Sequence, residues 1–306
     1  MIAGAVPIVD FGPFHGTDVV ARRAVADHVY QACKDVGFLC LRNHGVPLEL
    51  VDRLFDEAKR FFGQPRERKE QVHWTGPGRP GYLGVEAEYL NPDKPGDLKE
   101  TYTASTRASA TDPLGWPEGL PGFRETVLEF RDVASRVCGD IMHAFAMAFG
   151  LPEAYFDSLH GQHYSSARLL HYPPLPAEYL PGQIRAGAHT DYGTVTLLFQ
   201  ESDGGLEIFR EGQWLPAPCI PGTVIVNTGD LMERWTNNEL KSTQHRVVNP
   251  VGPAAQRSRY SATLFYNPNF DAEISCLEPF VSTARPALYP PITTGDHLLA
   301  CINASR

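Results

Sequence analysis

The sequence has no C-x-x-C pair, no long basic run and no long apolar run. Scattered cysteines disfavour a disulfide framework or a thiolate zinc site, and we expect reduced, mostly buried thiols. The cysteines are Cys33, Cys40, Cys138, Cys219, Cys276 and Cys301. A formal net charge of −9 without a basic patch also lacks the electrostatic footprint that nucleic-acid binding requires. We therefore expect no nucleic-acid partner.

Signals for export or membrane insertion are also lacking. No segment approaches the ~20 apolar residues of a membrane span, and the N-terminus has no basic stretch followed by a sustained apolar one. These features predict a cytoplasmic protein without a membrane partner.

The composition is that of a folded protein. Apolar residues make up 42% of the 306 residues and charged residues 21%. The texture changes near residue 120, without an internal repeat or a low-complexity linker. We predict an N-terminal mixed α/β region at residues 1–120 and a barrel region at residues 121–306, with a core at about 163–270. The two regions are expected to form one compact unit.

Hydrophobic periodicity predicts helices at residues 17–35, 47–62 and 124–149. The segments VPIVDF and GFLCLRNHGV read as strands in the first third of the chain. Residues 74–121 are rich in Gly and Pro, which favours irregular surface loops. From residue 167 onward, short β-rich runs separated by turn residues predict a sandwich or jelly roll.

One pair of residues indicates metal chemistry. His189 and Asp191 are two positions apart in the run GAHTDYG. Residues i and i+2 point to the same side of an extended backbone, so both side chains can bind one ion. His245 lies in a second strand-like segment, STQHRVV. Two histidines and one carboxylate form the facial triad that leaves positions open on Fe(II), although an H-x-D tripeptide alone also arises by chance.

A second feature supports that interpretation. Arg259 and Ser261 follow His245 at the start of the next β-rich run. A guanidinium offers a bidentate fork to a carboxylate, and a hydroxyl two residues later on the same strand face reaches the same anion. The order of the three possible ligands and this anchor predicts a carboxylate-binding site beside a metal.

With these residues, the chain resembles the isopenicillin N synthase-like family of iron and 2-oxoglutarate dependent oxygenases. The resemblance rests on H-x-D, the distal His, R-x-S and the Y-P-P segment that begins at Tyr172. It extends to VPIVDF, GFLCLRNHGV, GGLEIFREGQWLPAP, GTVIVNTGD and LFYNPNF, and so covers most of the chain. The fold that it implies is a double-stranded β-helix, a distorted jelly roll, mainly β with flanking helices.

The resemblance also implies an activity and roles for residues. His189, Asp191 and His245 would bind Fe(II), while Arg259 and Ser261 would hold the distal carboxylate of 2-oxoglutarate. Tyr172 matches a position that assists the binding of this cosubstrate in the family, and Arg168 or His171 could contribute nearby; the alternative role of these residues is strand packing. Dioxygen would be consumed, a small-molecule substrate would be oxidised, most often by hydroxylation, and succinate and CO₂ would be the coproducts.

The sequence says less about the identity of the substrate than about the metal and the cosubstrate. Pocket candidates are polar or aromatic residues, since such pockets combine apolar walls with a few polar groups. They are Tyr82, Glu88, Glu100, Tyr102, Tyr192 and Phe265. The two glutamates would suit a cationic substrate, and their alternative interpretation is as solvated loop carboxylates. Asn227 is a candidate to orient a metal ligand. An amino acid or natural-product intermediate, and hence secondary metabolism, fits the range of the family by analogy.

Alternative functions remain open at this point. An iron oxidase of the same fold that does not use 2-oxoglutarate, catalysing oxidative cyclisation or ethylene formation, shares the ligands and the R-x-S element. A non-catalytic metal-binding or ligand-binding barrel would retain the ligands without oxygen chemistry. A sugar-binding or structural jelly roll has no use for them. Zinc hydrolysis is disfavoured because no H-E-x-x-H motif occurs.

Overall fold

The computed structural model describes residues 6–76, 79–105, 115–161, 164–201 and 204–304. Its helices are α1 (Val19–Asp35), α2 (Leu48–Phe62), α3 (Arg66–Glu70), α4 (Phe123–Phe149), α5 (Asp157–His160), α6 (Asp230–Trp235) and α7 (Thr294–Ala304). Its strands are β1 (Ile8–Asp10), β2 (Phe38–Arg42), β3 (Gly81–Leu83), β4 (Glu100–Ser105), β5 (Ser166–Tyr172), β6 (Ala186–His189), β7 (Val195–Gln200), β8 (Leu206–Arg210), β9 (Gln213–Pro216), β10 (Thr223–Thr228), β11 (His245–Val247), β12 (Arg259–Tyr266), β13 (Glu273–Ile274) and β14 (Ile292–Thr293).

The strands form one large and one smaller sheet, with a short β13–β14 ribbon. The large sheet has the order β1-β2-β10-β7-β12-β5-β4-β3, and the smaller one has the order β6-β11-β8-β9. Within the large sheet the β1–β2 pair is parallel and the other pairs are antiparallel. This arrangement, with helices on the large sheet, confirms the predicted double-stranded β-helix with flanking helices.

Alternation along the strands divides the core into two layers. In β2, Leu39 and Leu41 belong to the larger apolar cluster, which contains the helices, whereas Phe38 and Cys40 belong to a smaller cluster. The smaller cluster also contains Ile208 and other side chains of the second sheet. Because side chains on a strand point alternately to opposite faces, the large sheet carries helices on one face and the second sheet on the other.

The helices on the large sheet follow the predicted periodicity closely. Asp18 caps α1 by accepting hydrogen bonds from the main-chain N–H groups of Val20 and Ala21, so this helix starts two residues after the predicted position. The helix α4 ends at Gly150, which adopts a left-handed conformation that suits glycine. The described residues contain no helix that is both long and apolar enough to cross a membrane.

The prediction of irregular loops over residues 74–121 was wrong in part. This segment contributes β3 and β4, and β4 pairs with β5 along its whole length. Among the described Gly and Pro residues of this segment, only Gly81 lies within these strands, and tertiary pairing outweighed local composition. The large sheet therefore combines four strands from residues 1–120 with four barrel strands. Residue 163, the predicted start of the barrel core, lies outside the described residues.

Candidate metal and cosubstrate site

Two histidines face each other across neighbouring strands of the smaller sheet. His189 ends β6 and is the register partner of His245, the first residue of β11. Their ring centroids are 4.2 Å apart. Nδ1 of His189 lies 2.8 Å from the Gly187 carbonyl oxygen, and Nδ1 of His245 lies 3.2 Å from the Thr243 oxygen. A proton on each Nδ1 would satisfy these carbonyls and leave both Nε2 atoms free to bind a metal.

The Asp191 carboxylate completes a cluster of three possible ligands. Its Oδ1 lies 4.0 Å from Nε2 of His189 and 3.8 Å from Nε2 of His245. The other oxygen, Oδ2, accepts a 2.7 Å hydrogen bond from Nδ2 of Asn227 on β10. One carboxylate oxygen is thus held by the protein while the other faces the two imidazoles.

The charges in this cluster suit a divalent cation. Burial and the neighbouring His245 lower the pKa of His189, which keeps its imidazole neutral. Burial opposes ionisation of Asp191, but the two imidazoles and the hydrogen bond from Asn227 hold its pKa below the usual value. Two neutral nitrogens and one carboxylate oxygen are the donor set of the non-haem Fe(II) facial triad. The residues present therefore fit the iron that the sequence predicts.

The predicted carboxylate anchor faces the space between the two sheets. Arg259 and Ser261 pair with Tyr172 and Leu170 of β5, and both β5 residues belong to the cluster between the sheets. Nη2 of Arg259 donates a 2.6 Å hydrogen bond to Oε1 of Gln200. Its Nε and Nη1 atoms and Oγ of Ser261 are buried and have no hydrogen-bond partner among the described residues. Buried polar groups are rarely left unpaired, so these atoms fit a bound carboxylate.

Sequence reasoning missed a second buried arginine at this anchor. Arg185 lies over the ring of Tyr172 at 5.9 Å, and Arg259 lies over the same ring at 4.7 Å. Nη2 of Arg185 donates to the main-chain oxygens of Pro173 and Arg257. Burial, together with the Arg259 guanidinium, lowers the pKa of Arg185 to about 10. The one signal in the sequence was that Arg185 lies four residues before His189. The sequence does not reveal that the Arg185 side chain turns toward Arg259.

A cavity of about 170 Å³ opens beside the cluster of ligands. It is lined by His189 and Asp191, by Tyr192 and Phe265, which were predicted pocket residues, and by Arg168. The helix α7, which sequence reasoning did not predict, contributes Leu298 and Ile302 to the wall.

Arg168, which was predicted to assist 2-oxoglutarate binding, is fixed in that wall by hydrogen bonds. Its Nε donates to Thr103 at 3.0 Å, and its Nη1 pairs with Oε1 of Glu88 at 3.1 Å. The guanidinium lies 5.6 Å from the ring centroid of Phe265. Glu88 also approaches the buried ammonium of Lys99 at 3.4 Å. Glu88 therefore holds Arg168 in the wall and does not itself line the cavity.

Three other predicted pocket residues lie on the opposite face of the large sheet. Tyr82 and Tyr102 are register partners buried in the core beneath the helices. Oε2 of Glu100 accepts hydrogen bonds from Lys69 at 2.6 Å and from Tyr82 at 2.5 Å. Its Oε1 lies 2.7 Å from Nδ1 of His171. The structure does not bring these residues to the cavity: alternation along β4 points Glu100 and Tyr102 away from it, and Tyr82 of β3 pairs with Tyr102 on the same face.

Comparisons with known proteins agree with this geometry. Residues 157–268 match the 2OG-Fe(II) oxygenase superfamily, and residues 6–122 match the N-terminal region described as non-haem dioxygenase in morphine synthesis. The chain is 34% identical to the 2-oxoglutarate-Fe(II) type oxidoreductase hxnY of Emericella nidulans, over 97% of this chain and 89% of that protein. It is 33% identical to the proline hydroxylase buaE of Petromyces alliaceus, over 92% of this chain and 93% of that protein.

A solved structure is similar along nearly the whole chain. It is that of a full-length Neurospora crassa protein in complex with α-ketoglutarate (2-oxoglutarate) and thymine, and it superposes with a TM-score of 0.88. The sequence identity is 33%, and the match covers 98% of this chain and 96% of the other.

Proposed function

Because this chain belongs to the 2-oxoglutarate and Fe(II) dependent oxygenase superfamily, we propose the following residue roles in the oxidation of a small-molecule substrate. His189, Asp191 and His245 hold the iron, and Arg259 and Ser261 hold the distal carboxylate of 2-oxoglutarate. The substrate is a small, planar, uncharged or anionic molecule whose oxygen acceptors face Arg168 and whose ring packs against Phe265.

One observation carries the cosubstrate assignment. Nε and Nη1 of Arg259 and Oγ of Ser261 are buried polar atoms that no described residue satisfies. Leaving such groups unpaired costs roughly 1–3 kcal/mol each, and more for a charged group. A carboxylate would satisfy all three, and its charge would offset the repulsion between Arg259 and Arg185.

The chemistry is divided between the bound groups and the chain. With Fe(II), 2-oxoglutarate and dioxygen bound, the site supplies an oxidant, and succinate and CO₂ are formed as the substrate is oxidised. The chain supplies orientation: Asn227 fixes one oxygen of Asp191, and the carbonyls of Gly187 and Thr243 fix the two imidazoles. Leu298 and Ile302 form an apolar wall that limits access of water to the cavity.

The charges of the cavity support the substrate class. Asp191 is the one carboxylate among the described residues that line the cavity, and it is assigned to the metal. Arg168 and Arg79 bring two guanidiniums to the same wall. A cationic substrate, which the glutamates suggested in the sequence, is therefore disfavoured. Glu88 is already paired with Arg168, and Glu100 is paired with Lys69 on the other face.

The relatives differ in substrate, and one of them supports this class. The Neurospora crassa protein was solved in complex with thymine, a flat ring with two carbonyl oxygens, and the Petromyces alliaceus protein is named a proline hydroxylase. A ring of the first kind matches a guanidinium donor beside an aromatic face. An amino acid would need a free carboxylate for its ammonium group.

The test is a substrate panel with succinate release as the readout. The full-length enzyme with Fe(II) and 2-oxoglutarate is offered carbonyl-bearing heterocycles, aromatic carboxylic acids and free amino acids. We expect stimulation by a member of the first two groups. Stimulation only by free amino acids or by cationic compounds would overturn the substrate class while leaving the metal and cosubstrate assignments intact.

Arg168→Gln separates the two roles of this residue. We expect the KM of the active substrate to rise by roughly 10- to 100-fold, since a charge-assisted hydrogen bond is lost, while the Kd of 2-oxoglutarate stays unchanged. A rise in the Kd of 2-oxoglutarate with no change in the substrate KM would return Arg168 to the cosubstrate role. Arg246→Gln is the matched control, because Arg246 is paired with Glu207 outside the cavity.

A further inference from the structure

A second group of possible metal ligands lies where the C-terminal helix meets α6. His297 and Cys301 are four residues apart on α7, and therefore on the same side of the helix. Both approach Asp230, the first residue of α6. Nε2 of His297 lies 3.8 Å from Oδ2 of Asp230 and 3.7 Å from Sγ of Cys301. The three donor atoms all lie within 4.8 Å of one another.

We propose that Asp230, His297 and Cys301 form a second metal site, which takes Zn²⁺ or another divalent transition metal that accepts thiolate, imidazole and carboxylate together. The bond lengths of zinc to these three ligands place tetrahedrally arranged donors about 3.3–3.6 Å apart. The two separations from Nε2 of His297, 3.8 Å to Asp230 and 3.7 Å to Cys301, are within a few tenths of an ångström of that range. Three protein ligands leave the fourth position to water.

The first metal site offers an internal comparison. Its carboxylate lies 4.0 and 3.8 Å from the two Nε2 atoms of His189 and His245. The distances from Nε2 of His297 to Asp230 and Cys301, 3.8 and 3.7 Å, are as short as these, and the donor atoms of both clusters lie within 4.8 Å of one another. Its thiolate distinguishes it chemically, because sulfur favours zinc and related ions whereas the first site has only nitrogen and oxygen donors.

Neighbouring groups fix the side chains of Asp230 and His297 by hydrogen bonds, as is usual for metal ligands. Oγ of Ser242 donates a 2.5 Å hydrogen bond to Oδ1 of Asp230, and the Thr190 side chain also bonds this carboxylate. The ring of His297 is hydrogen-bonded to the main chain of Tyr192. Partners of this kind fix the rotamers of ligating carboxylates and imidazoles, and thereby favour metal binding.

An ion at this position would connect α7 to the loop that carries Asp191. Thr190 and Tyr192 are the neighbours of Asp191, and the main-chain N–H of Asp230 donates a 2.8 Å hydrogen bond to the Asp191 carbonyl. The same helix places Leu298 and Ile302 in the wall of the cavity. Binding replaces the Cys301 S–H by a metal–sulfur bond and releases the proton to solvent, without any redox step. The ion would fix the wall of the cavity relative to the iron ligands.

The test uses the full-length, metal-free protein titrated anaerobically with Co²⁺. Cobalt bound by thiolate gives a near-ultraviolet sulfur-to-metal charge-transfer band, and His189, Asp191 and His245 cannot produce one. We expect two equivalents of Co²⁺ per chain, one of them with the thiolate band. Cys301→Ser should bind one equivalent without the band. Cys276→Ser, which changes a partly buried cysteine outside the cluster, should keep both.

The outcomes separate this site from the first one. His189→Ala should weaken cobalt binding at the first site while keeping the thiolate band. A wild-type titration without the band would overturn the second site even if no variant folds, and so would a band that persists in Cys301→Ser. Hydrogen exchange gives an independent readout: Zn²⁺ should slow amide exchange in α7 of the wild type but not of Cys301→Ser.

Discussion

His189 and His245 are register partners on antiparallel strands, and their Nε2 atoms approach the same carboxylate oxygen of Asp191. The sheet thus assembles the three ligands from two separate segments of sequence. Small changes in the groups that support these side chains should therefore weaken metal binding without unfolding the protein.

Asn227→Ala should weaken the metal site. The loss of the 2.7 Å hydrogen bond leaves Asp191 free to rotate, and the Kd for Fe(II) should rise roughly 10- to 100-fold. Anaerobic equilibrium titration of the metal-free protein measures this constant. The control is Asn237→Ala, since Asn237 is also buried but bonds main-chain oxygens elsewhere. Equal effects of the two substitutions would show that Asn227 has no special role at the metal.

Arg259→Met should weaken binding of 2-oxoglutarate. A bidentate charge-assisted pair is lost while the aliphatic volume is kept, so the Kd should rise roughly 10- to 100-fold. The visible absorption band of the Fe(II)–2-oxoglutarate complex, followed during anaerobic titration, reports this constant. Iron affinity should remain unchanged. An unaltered 2-oxoglutarate affinity would contradict the anchor assignment.

Glu100→Gln should reduce stability and leave substrate binding unchanged. The substitution leaves the buried Lys69 ammonium without its anion, and breaking a buried ion pair costs roughly 3–5 kcal/mol. Denaturant unfolding measures the loss. Glu207→Gln, which breaks the more exposed pair with Arg246, should cost less than about 1 kcal/mol. A raised substrate KM in Glu100→Gln would instead connect this residue to the cavity.

Acid should destabilise the fold partly through His44. Burial, aided by the nearby His15, lowers the pKa of His44 to about 4 from its ordinary value of 6.5. Between these two values the unfolded chain binds one proton more than the folded chain. The stability that neutral His44 provides is therefore complete above pH 6.5 and is lost as the pH falls toward 4, by about 1.4 kcal/mol per pH unit.

His44→Gln tests this contribution. Its free energy of unfolding, measured between pH 4 and 6.5, should fall less steeply than that of the wild type. His28→Gln, an exposed histidine on α1, should keep the wild-type slope. Parallel curves for wild type and His44→Gln would contradict the prediction.

Regular elements could be predicted because their signals are local, and the structure brings together His189, Asp191 and His245, which the sequence predicts as metal ligands. The three long helices were found within one or two residues, since an apolar stripe at helical spacing fixes both the helix and its buried face. β3, β4 and α7 were not predicted: the strands lie in a Gly- and Pro-rich segment where pairing with β5 outweighs composition.

The sequence by itself determined that Arg259 and Ser261 lie on one face of β12, because alternation along a strand puts residues i and i+2 on the same side. It also determined that His189 and Asp191 are near neighbours, since only Thr190 separates them, although Asp191 lies beyond the end of β6. Only the tertiary structure decided which face meets the cavity. It directed Glu100 and Tyr102 into the core, brought Arg185 to Arg259, and placed Cys301 beside Asp230. Such contacts join segments distant in sequence, and they depend on register and packing that no local pattern encodes.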